Sequence, residues 1–211
     1  MRQAKSKRTH EDALLTKQRI LDAANKIFIA KGFEKASLSD IAREAQVTRG
    51  AIYWHFENKS DIFVELLEAQ AKSTNLRTTL YAAANPDSPD PLGLLRKWMG
   101  LMFDDSSEMI VNPAIVNICV TIMAADKEDE ARQRFIEFMK VRNMSLEAAL
   151  HNAVARHQLP SDLDIKIAAT YLKAIIDGQF SLAYKLDNHF NRAHYLKMVD
   201  VAFAHLGELR K

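Results

Sequence analysis

Cysteine is almost missing from this 211-residue chain, which carries only Cys119. One thiol excludes an internal disulfide and any cysteine-built metal site, and it fits a reducing cytosol. Glycine and proline are scarce too, at six and five, so the turn and strand signals that an all-β fold needs are few. No stretch approaches 18 uninterrupted apolar residues, which speaks against a membrane-spanning helix. The basic start "MRQAKSKRTH" runs into "EDALLTKQ" and not into an apolar stretch, so it does not read as a secretory leader. A soluble, cytoplasmic protein that needs no membrane is expected.

Enzyme signatures are missing as well. There is no glycine-rich phosphate loop, no nucleophile motif and no His-Glu-x-x-His pattern. His151 and His157 are six positions apart, and His189 and His194 are five apart. Neither pair shares a helix face well enough to chelate a metal. Glu147 and His151 are four apart, which reads as a surface helix pair. No catalytic residue, metal or cofactor is expected.

What the chain does have is an uneven charge. Residues 1–60 hold 12 Lys/Arg against 7 Asp/Glu, whereas the remainder holds 17 against 20. A basic first segment suits a protein that meets a polyanion there; a chance fluctuation on a solvated surface gives the same numbers.

Apolar spacing is helical throughout. Leu14, Ile20, Leu21, Ala24, Ile27 and Phe28 recur at helical intervals from about Ala13, with Gly32 as a stop, after ten polar residues that read as an unstructured arm. In "ASLSDIAREAQ", Ser37 followed by Asp40 resembles a capping box. Thr48 caps a short helix through Phe56, and Asn58 with Asp61 opens a long one towards Ala84. The proline-rich "NPDSPDP" at 85–91 breaks it. Further helices are expected near 92–104, 113–124, 127–157, 163–186 and 191–206. The fold is predicted to be all-α, with a small N-terminal unit of three short helices over 1–58 and a larger helical bundle over 59–211.

Residues 37–56 have the layout of a helix-turn-helix, whose second helix enters the major groove of DNA. Ile41, Ala42, Val47, Ile52 and Phe56 can hold the unit together. Arg49 has the fork geometry to read guanine O6 and N7, or else it pairs with a phosphate. Gly50 and Ala51 let the helix come close, and Tyr53 and His55 can donate to phosphates. A packing role competes at each aromatic and is favoured at Phe56. Lys59 adds charge at the next helix start. Arg2, Lys5, Lys7 and Arg8 either track the DNA backbone or form a solvated tail.

The stretch "TKQRILDAANKIFIAKGFEKASLSDIAREAQVTRGAIYWHFENKSDIFVELL" closely resembles the DNA-binding region of TetR-family transcriptional regulators. "TRGAIYWHFENKSDIF" is most similar to the branch that includes AcrR, which controls multidrug efflux genes. The resemblance implies that Thr48, Arg49 and Gly50 meet bases, and that Tyr53, Trp54 and His55 meet phosphates and neighbouring base edges. It further implies backbone contacts from Lys17, Ser37 and Lys59. One position departs from the family: Gln46 stands where the turn usually carries glycine, and a positive φ there would cost roughly 1 kcal/mol.

For the second region the resemblance implies a homodimer and a pocket for a small hydrophobic ligand. Trp98, Met99, Met102, Phe103, Met109, Met123, Phe135, Phe138 and Met139 concentrate soft and aromatic side chains, which suit an adaptable apolar cavity. Each taken singly fits a core equally well. Asn117, Cys119 and Thr121 are soft or polar positions that could orient a ligand. Where AcrR-like chains often carry Lys-Cys-Glu, this one reads "ICVTIMAADKEDE", with Asp126 and Glu130 as possible substitutes for the missing acid.

The last two helices are apolar round much of their circumference, which implies burial on more than one side. The resemblance makes the extra side a four-helix interface between two copies, drawing on Tyr171, Ile175, Gly178, Gln179, Leu182, Met198 and Phe203. Two-fold symmetry then requires a roughly palindromic operator in double-stranded DNA, with recognition helices about 34–36 Å apart. The expected function is a dimeric efflux-type repressor released by its ligand; a DNA-binding dimer without an inducer is the alternative.

Overall fold

Ten α-helices and a closing 3-10 turn carry the residues described by this computed structural model, which are 2–73, 75–103, 113–126, 128–185 and 191–211. In chain order they are α1 (Arg2–Lys35), α2 (Leu38–Ala45), α3 (Arg49–His55), α4 (Lys59–Ser73) and α5 (Leu76–Ala84). Then come α6 (Pro91–Leu101), α7 (Pro113–Ala124), α8 (Glu130–Ala155), α9 (Ile165–Lys185) and α10 (Arg192–His205). Among the described residues the one β feature is an isolated bridge between Leu163 and Arg210. The all-α expectation holds. No described helix is long and apolar enough to cross a membrane.

Two boundaries differ from the sequence reading. Helix α1 starts at Arg2, well before Ala13. Arg, Gln, Ala and Lys are strong helix formers, whereas apolar spacing marks only the part of a helix that has something to pack on. The expected long helix from Asn58 to Ala84 is two helices, because Asn75 turns left-handed (φ 58°) between α4 and α5. Asparagine tolerates that conformation better than most residues. At the end of α1, Gly32 (φ 74°) breaks the helical path where a stop is expected.

The chain forms two compact units. The first takes residues 1–68 with 118–135, and the second takes 69–117 with 136–211, so the boundaries fall inside α4, α7 and α8. In the first unit, Ile20, Ala24 and Phe28 of α1 are buried, as are Ile41 and Ala45 of α2, and Ile52 of α3. Phe28, Phe33 and Phe63 close the unit with tilted and edge-on rings 5.6–5.8 Å apart, the arrangement that aromatic quadrupoles favour. Val47, at the turn, is half-buried.

The second unit buries one apolar cluster that includes Leu80, Leu95, Met99, Leu150, Leu172 and Tyr195. Burial pushes the Tyr195 phenol well above its ordinary range, and its hydroxyl donates to the Met99 carbonyl at 2.8 Å. A buried hydroxyl without that partner would destabilise the core. Helix α6 begins with Pro91 in its first turn, where proline is suited. Asp90 caps it, accepting from the Gly93 amide (2.9 Å) and the Gln158 side chain (2.7 Å). The Gln158 bond first, and the Gly93 amide second, hold the Asp90 carboxyl below the usual carboxylate range.

Candidate nucleic-acid interface

The helix-turn-helix is fixed from both ends of α2. Ser37 Oγ accepts from the Asp40 amide at 3.1 Å, while Asp40 accepts from the Ser37 amide and hydroxyl at 3.3 and 2.8 Å. This is the reciprocal capping box that the sequence suggests. Lys31 adds an ion pair to Asp40 at 2.9 Å. The Lys31 bond first, then Ser37, holds the Asp40 carboxyl down to about 2, against an ordinary 3.8. A lowered folded value stabilises the fold above the ordinary one, and that contribution is lost as pH falls towards 2.

At the other end, Gln46 sits in the left-handed region (φ 55°, ψ 44°). The Gln46 amide donates to Arg43 and the Val47 amide to Ala42, the closure of a Schellman turn. Arg19 reaches from α1 to the carbonyls of Ala45 and Gln46 at 2.6 and 3.2 Å. A cation on these carbonyls helps a non-glycine residue to hold the turn. The strain remains, so Gln46→Gly is expected to raise stability by about 0.5–1 kcal/mol in urea unfolding. An unchanged or lower midpoint would contradict the strain.

Thr48 caps α3, its hydroxyl accepting from the Ala51 amide at 3.1 Å. The helix is two-sided. Ile52 and the adjoining Phe56 are buried, whereas Arg49, Gly50, Tyr53 and Trp54 face solvent. Tyr53 is 52% exposed and Trp54 72%, so aromatics that would stabilise a core stand outside it. An exposed aromatic pair of this kind is informative, as a lone exposed aliphatic residue is not. Arg49 Nη2 donates to the Tyr53 hydroxyl at 3.0 Å, with the guanidinium 5.7 Å from the ring centre. A Cβ on Gly50 would meet only Thr48 Oγ1, at 3.7 Å, so nothing within the protein requires glycine there.

His55 is half-buried, with its ring edge-on to Trp54 at 4.5 Å. Burial first, and the Lys17 ammonium second, push the imidazole below its ordinary 6.5. It is therefore neutral at pH 7. Because the unfolded chain takes up that proton more readily, acidification through about pH 6.5 works against the fold.

The two expected lysine contacts have partners inside the protein. Lys17 pairs with Glu65 at 2.9 Å and lies 5.7 Å from the Phe56 ring centre. Lys59 points its ammonium at the carbonyls of Phe33, Glu34 and Ala36 and sits 4.4 Å from the Phe33 ring centre. It thus satisfies carbonyls left open at the end of α1. Lys59→Met is expected to cost about 1.5–3 kcal/mol of stability, the range for hydrogen bonds to a charged group. A lysine that only faces phosphate would leave the unfolding midpoint unchanged.

Sequence reading missed a polar fastening beside α3. Arg134 of α8 pairs with Asp61 at 2.8 Å and with Glu57 at 3.1 Å. Asn58 Oδ1 accepts from the Asp61 amide at 2.9 Å, while its amide group donates to Glu130 at 2.6 Å. Apart from Asn58 and Asp61, these partners lie more than 70 positions apart in sequence, and no local pattern joins them. Glu130, one of the substitutes for the missing pocket acid, is thereby engaged.

The expected ligand residues are divided between the two units. Trp98, Met102 and Phe103 are packed in the core of the second, with Phe103 4.4 Å from the Tyr195 ring centre and 4.9 Å from that of Phe180. Phe138 and Met139 are half-buried and Asn117 exposed in that unit, while Phe135 is buried, Cys119 half-buried and Met123 exposed in the first. Met109 lies outside the described residues. A cavity of about 230 Å³ lies between α1 and α2, lined by Arg19, Asp22, Ala23, Lys26, Glu44, Ala45 and Gln46. It shares none of the expected ligand residues.

Helices α9 and α10 leave an apolar stripe open. Ile167, Tyr171 and Leu182 of α9 are exposed with Gly178 between them, and Met198 and Val201 of α10 are exposed as well. A Cβ on Gly178 would meet nothing within 4 Å. Ile175 and Phe203 are half-buried and Gln179 is buried, donating to the Met198 sulfur at 3.4 Å.

Residues 20–66 match the family described as "Bacterial regulatory proteins, tetR family". The regulator TtgR of Pseudomonas putida is 35% identical, over 82% of this chain and 81% of its own. The regulator AcrR of Shigella flexneri is 30% identical, over 82% and 80%. Among solved structures, SmeT, the repressor of the Stenotrophomonas maltophilia multidrug efflux pump SmeDEF, shares the fold. Its TM-score is 0.66 at 24% identity, over 89% of this chain and 88% of its own. With a helix-turn-helix whose outward face is polar, aromatic and exposed, this chain belongs to the TetR family as a DNA-binding transcriptional regulator.

Proposed function

We propose that the protein is a homodimeric repressor of efflux-type genes that holds a roughly palindromic operator and leaves it when a small hydrophobic ligand binds. The outward face of α3 carries this reading. Arg49, Gly50, Tyr53 and Trp54 stand together on it, and none is used in the core. Thr48 and His55 flank them on the same segment, and Ser37 is exposed at the cap of α2, while Lys17 and Lys59 brace the unit through Glu65 and the carbonyls at the end of α1. Dimerisation through the open stripe on α9 and α10 would deliver two such faces to one operator. Residues 1–58 would then serve as the DNA-reading head and 59–211 as the ligand-binding and dimerisation part.

Release requires that the ligand prefer the form that does not bind DNA. A 100-fold preference corresponds to about 2.7 kcal/mol. Efflux control comes to this chain from what SmeT is said to repress and from its likeness to AcrR. One observation favours the reading without an inducer: Trp98, Met102 and Phe103 are already packed as core.

Fluorescence anisotropy tests the reading, with DNA from upstream of the protein's own gene against shuffled DNA across a salt series. Sequence-selective binding that weakens steeply with salt is expected, as phosphate contacts release counterions. Hydrophobic compounds added to the complex should then lower the anisotropy. Equal, weak binding to both DNAs would contradict operator recognition, and complexes insensitive to every compound would favour the reading without an inducer.

A further inference from the structure

Arg49 and Tyr53 are four positions apart on α3, the spacing that brings side chains together on a helix. Both are exposed, and they meet twice: the guanidinium donates to the phenol oxygen at 3.0 Å and lies 5.7 Å from the ring centre. No acid occurs among residues 46–56, so nothing adjacent in sequence competes for the cation or neutralises it. The contact uses one of the five guanidinium N–H groups, and the tyrosine hydroxyl keeps its own proton to donate outward. Gly50, beside them, leaves the backbone bare for close approach.

Resting on the DNA-reading role given to α3 above, we propose that Arg49 and Tyr53 form one base-reading unit. The Tyr53 hydroxyl holds the Arg49 guanidinium in position for a guanine edge in the major groove. Tyr53 is then a positioning residue that sets preference at a base pair it does not itself read. A flexible arginine recognises a planar pair of acceptors best when its fork is already oriented, and bidentate contact with guanine O6 and N7 is the match that this fork makes. Tyr53 would still be free to reach a phosphate with its proton, so affinity and specificity have separate signatures.

The test is selection from a library of duplexes with a randomised core of roughly 20 base pairs, about two turns of DNA. It uses the full chain as wild type, Arg49→Ala, Tyr53→Phe and the double variant, and sequences the bound DNA. Phenylalanine keeps the ring and removes only the hydroxyl, and the site is exposed, so the fold is retained. Arg49→Ala should erase guanine preference at one position per half-site. Tyr53→Phe should weaken preference at that same position by about 5- to 20-fold, within the range for losing one bidentate contact. The double variant should match Arg49→Ala there. If Arg49→Ala loses the guanine and Tyr53→Phe keeps it while binding all sequences more weakly, the coupling is overturned and Tyr53 is a phosphate contact. If Arg49→Ala leaves every position unchanged, the base-reading assignment of Arg49 itself fails.

Discussion

Gly50→Gln is expected to weaken specific DNA binding by at least about 100-fold while leaving the fold intact or slightly firmer. The two effects have opposite signs because they arise in different places. Inside the protein, a Cβ at position 50 meets only a hydroxyl at ordinary contact distance. Replacing a helical glycine typically stabilises by about 0.5–1 kcal/mol. Outside the protein, Gly50 lies between Arg49 and the exposed Tyr53 and Trp54, on the face that would lie against base edges. A side chain there would hold α3 off the groove and leave mainly phosphate contacts. Specific and non-specific binding commonly differ by at least about 10³-fold, so the loss can be large. Anisotropy on a selected duplex, with urea unfolding alongside, reads both effects. Wild-type affinity in Gly50→Gln would mean that another surface touches DNA.

Gly178→Glu is expected to give a folded monomer whose DNA affinity falls about 10²- to 10⁴-fold. Position 178 is likewise open within the chain, so glutamate there fits the helix. In a two-fold interface the same substitution occurs twice, placing two carboxylates in an apolar contact with Tyr171 and Leu182 to either side. Losing the proposed dimer turns two linked binding events into one, which is the origin of the expected range. Sedimentation should show half the wild-type mass, with unchanged helix content. The α3 face remains whole in such a monomer, so weak binding to a half-site should survive. A Gly178→Glu dimer of normal stability would place the interface elsewhere.

The fold was legible in the sequence wherever structure is local. Ser37 with Asp40, Thr48 before α3, Asn58 with Asp61 and the prolines at 86–91 are short-range signals, and the described helices start or stop where these signals lie. The break at Asn75 was missed although residues 72–75 are all polar, because apolar spacing resumes at Leu76 and one left-handed residue leaves no periodic trace. The extra turns of α1 escaped for the opposite reason: they have helix propensity but no apolar face.

The candidate site was readable as a set of residue types, whereas its division of labour was not. Arg49, Tyr53 and Trp54 stand outside, as a DNA-facing role requires. Lys17 and Lys59 looked equally available by charge, but the folded chain supplies them with a carboxylate and with carbonyls. Arg19 and Arg134 do their work 26 or more positions away in sequence, beyond what any motif records. Long-range partners of this kind are set by packing.

The most direct measurement is a hydroxyl-radical footprint of the wild-type protein on a duplex recovered from the randomised library. A dimer presenting two α3 faces predicts two protected patches of equal depth. They should be related by two-fold symmetry, with centres about 34–36 Å, or one helical turn, apart. A single patch, or protection spread evenly along the duplex, would contradict the account.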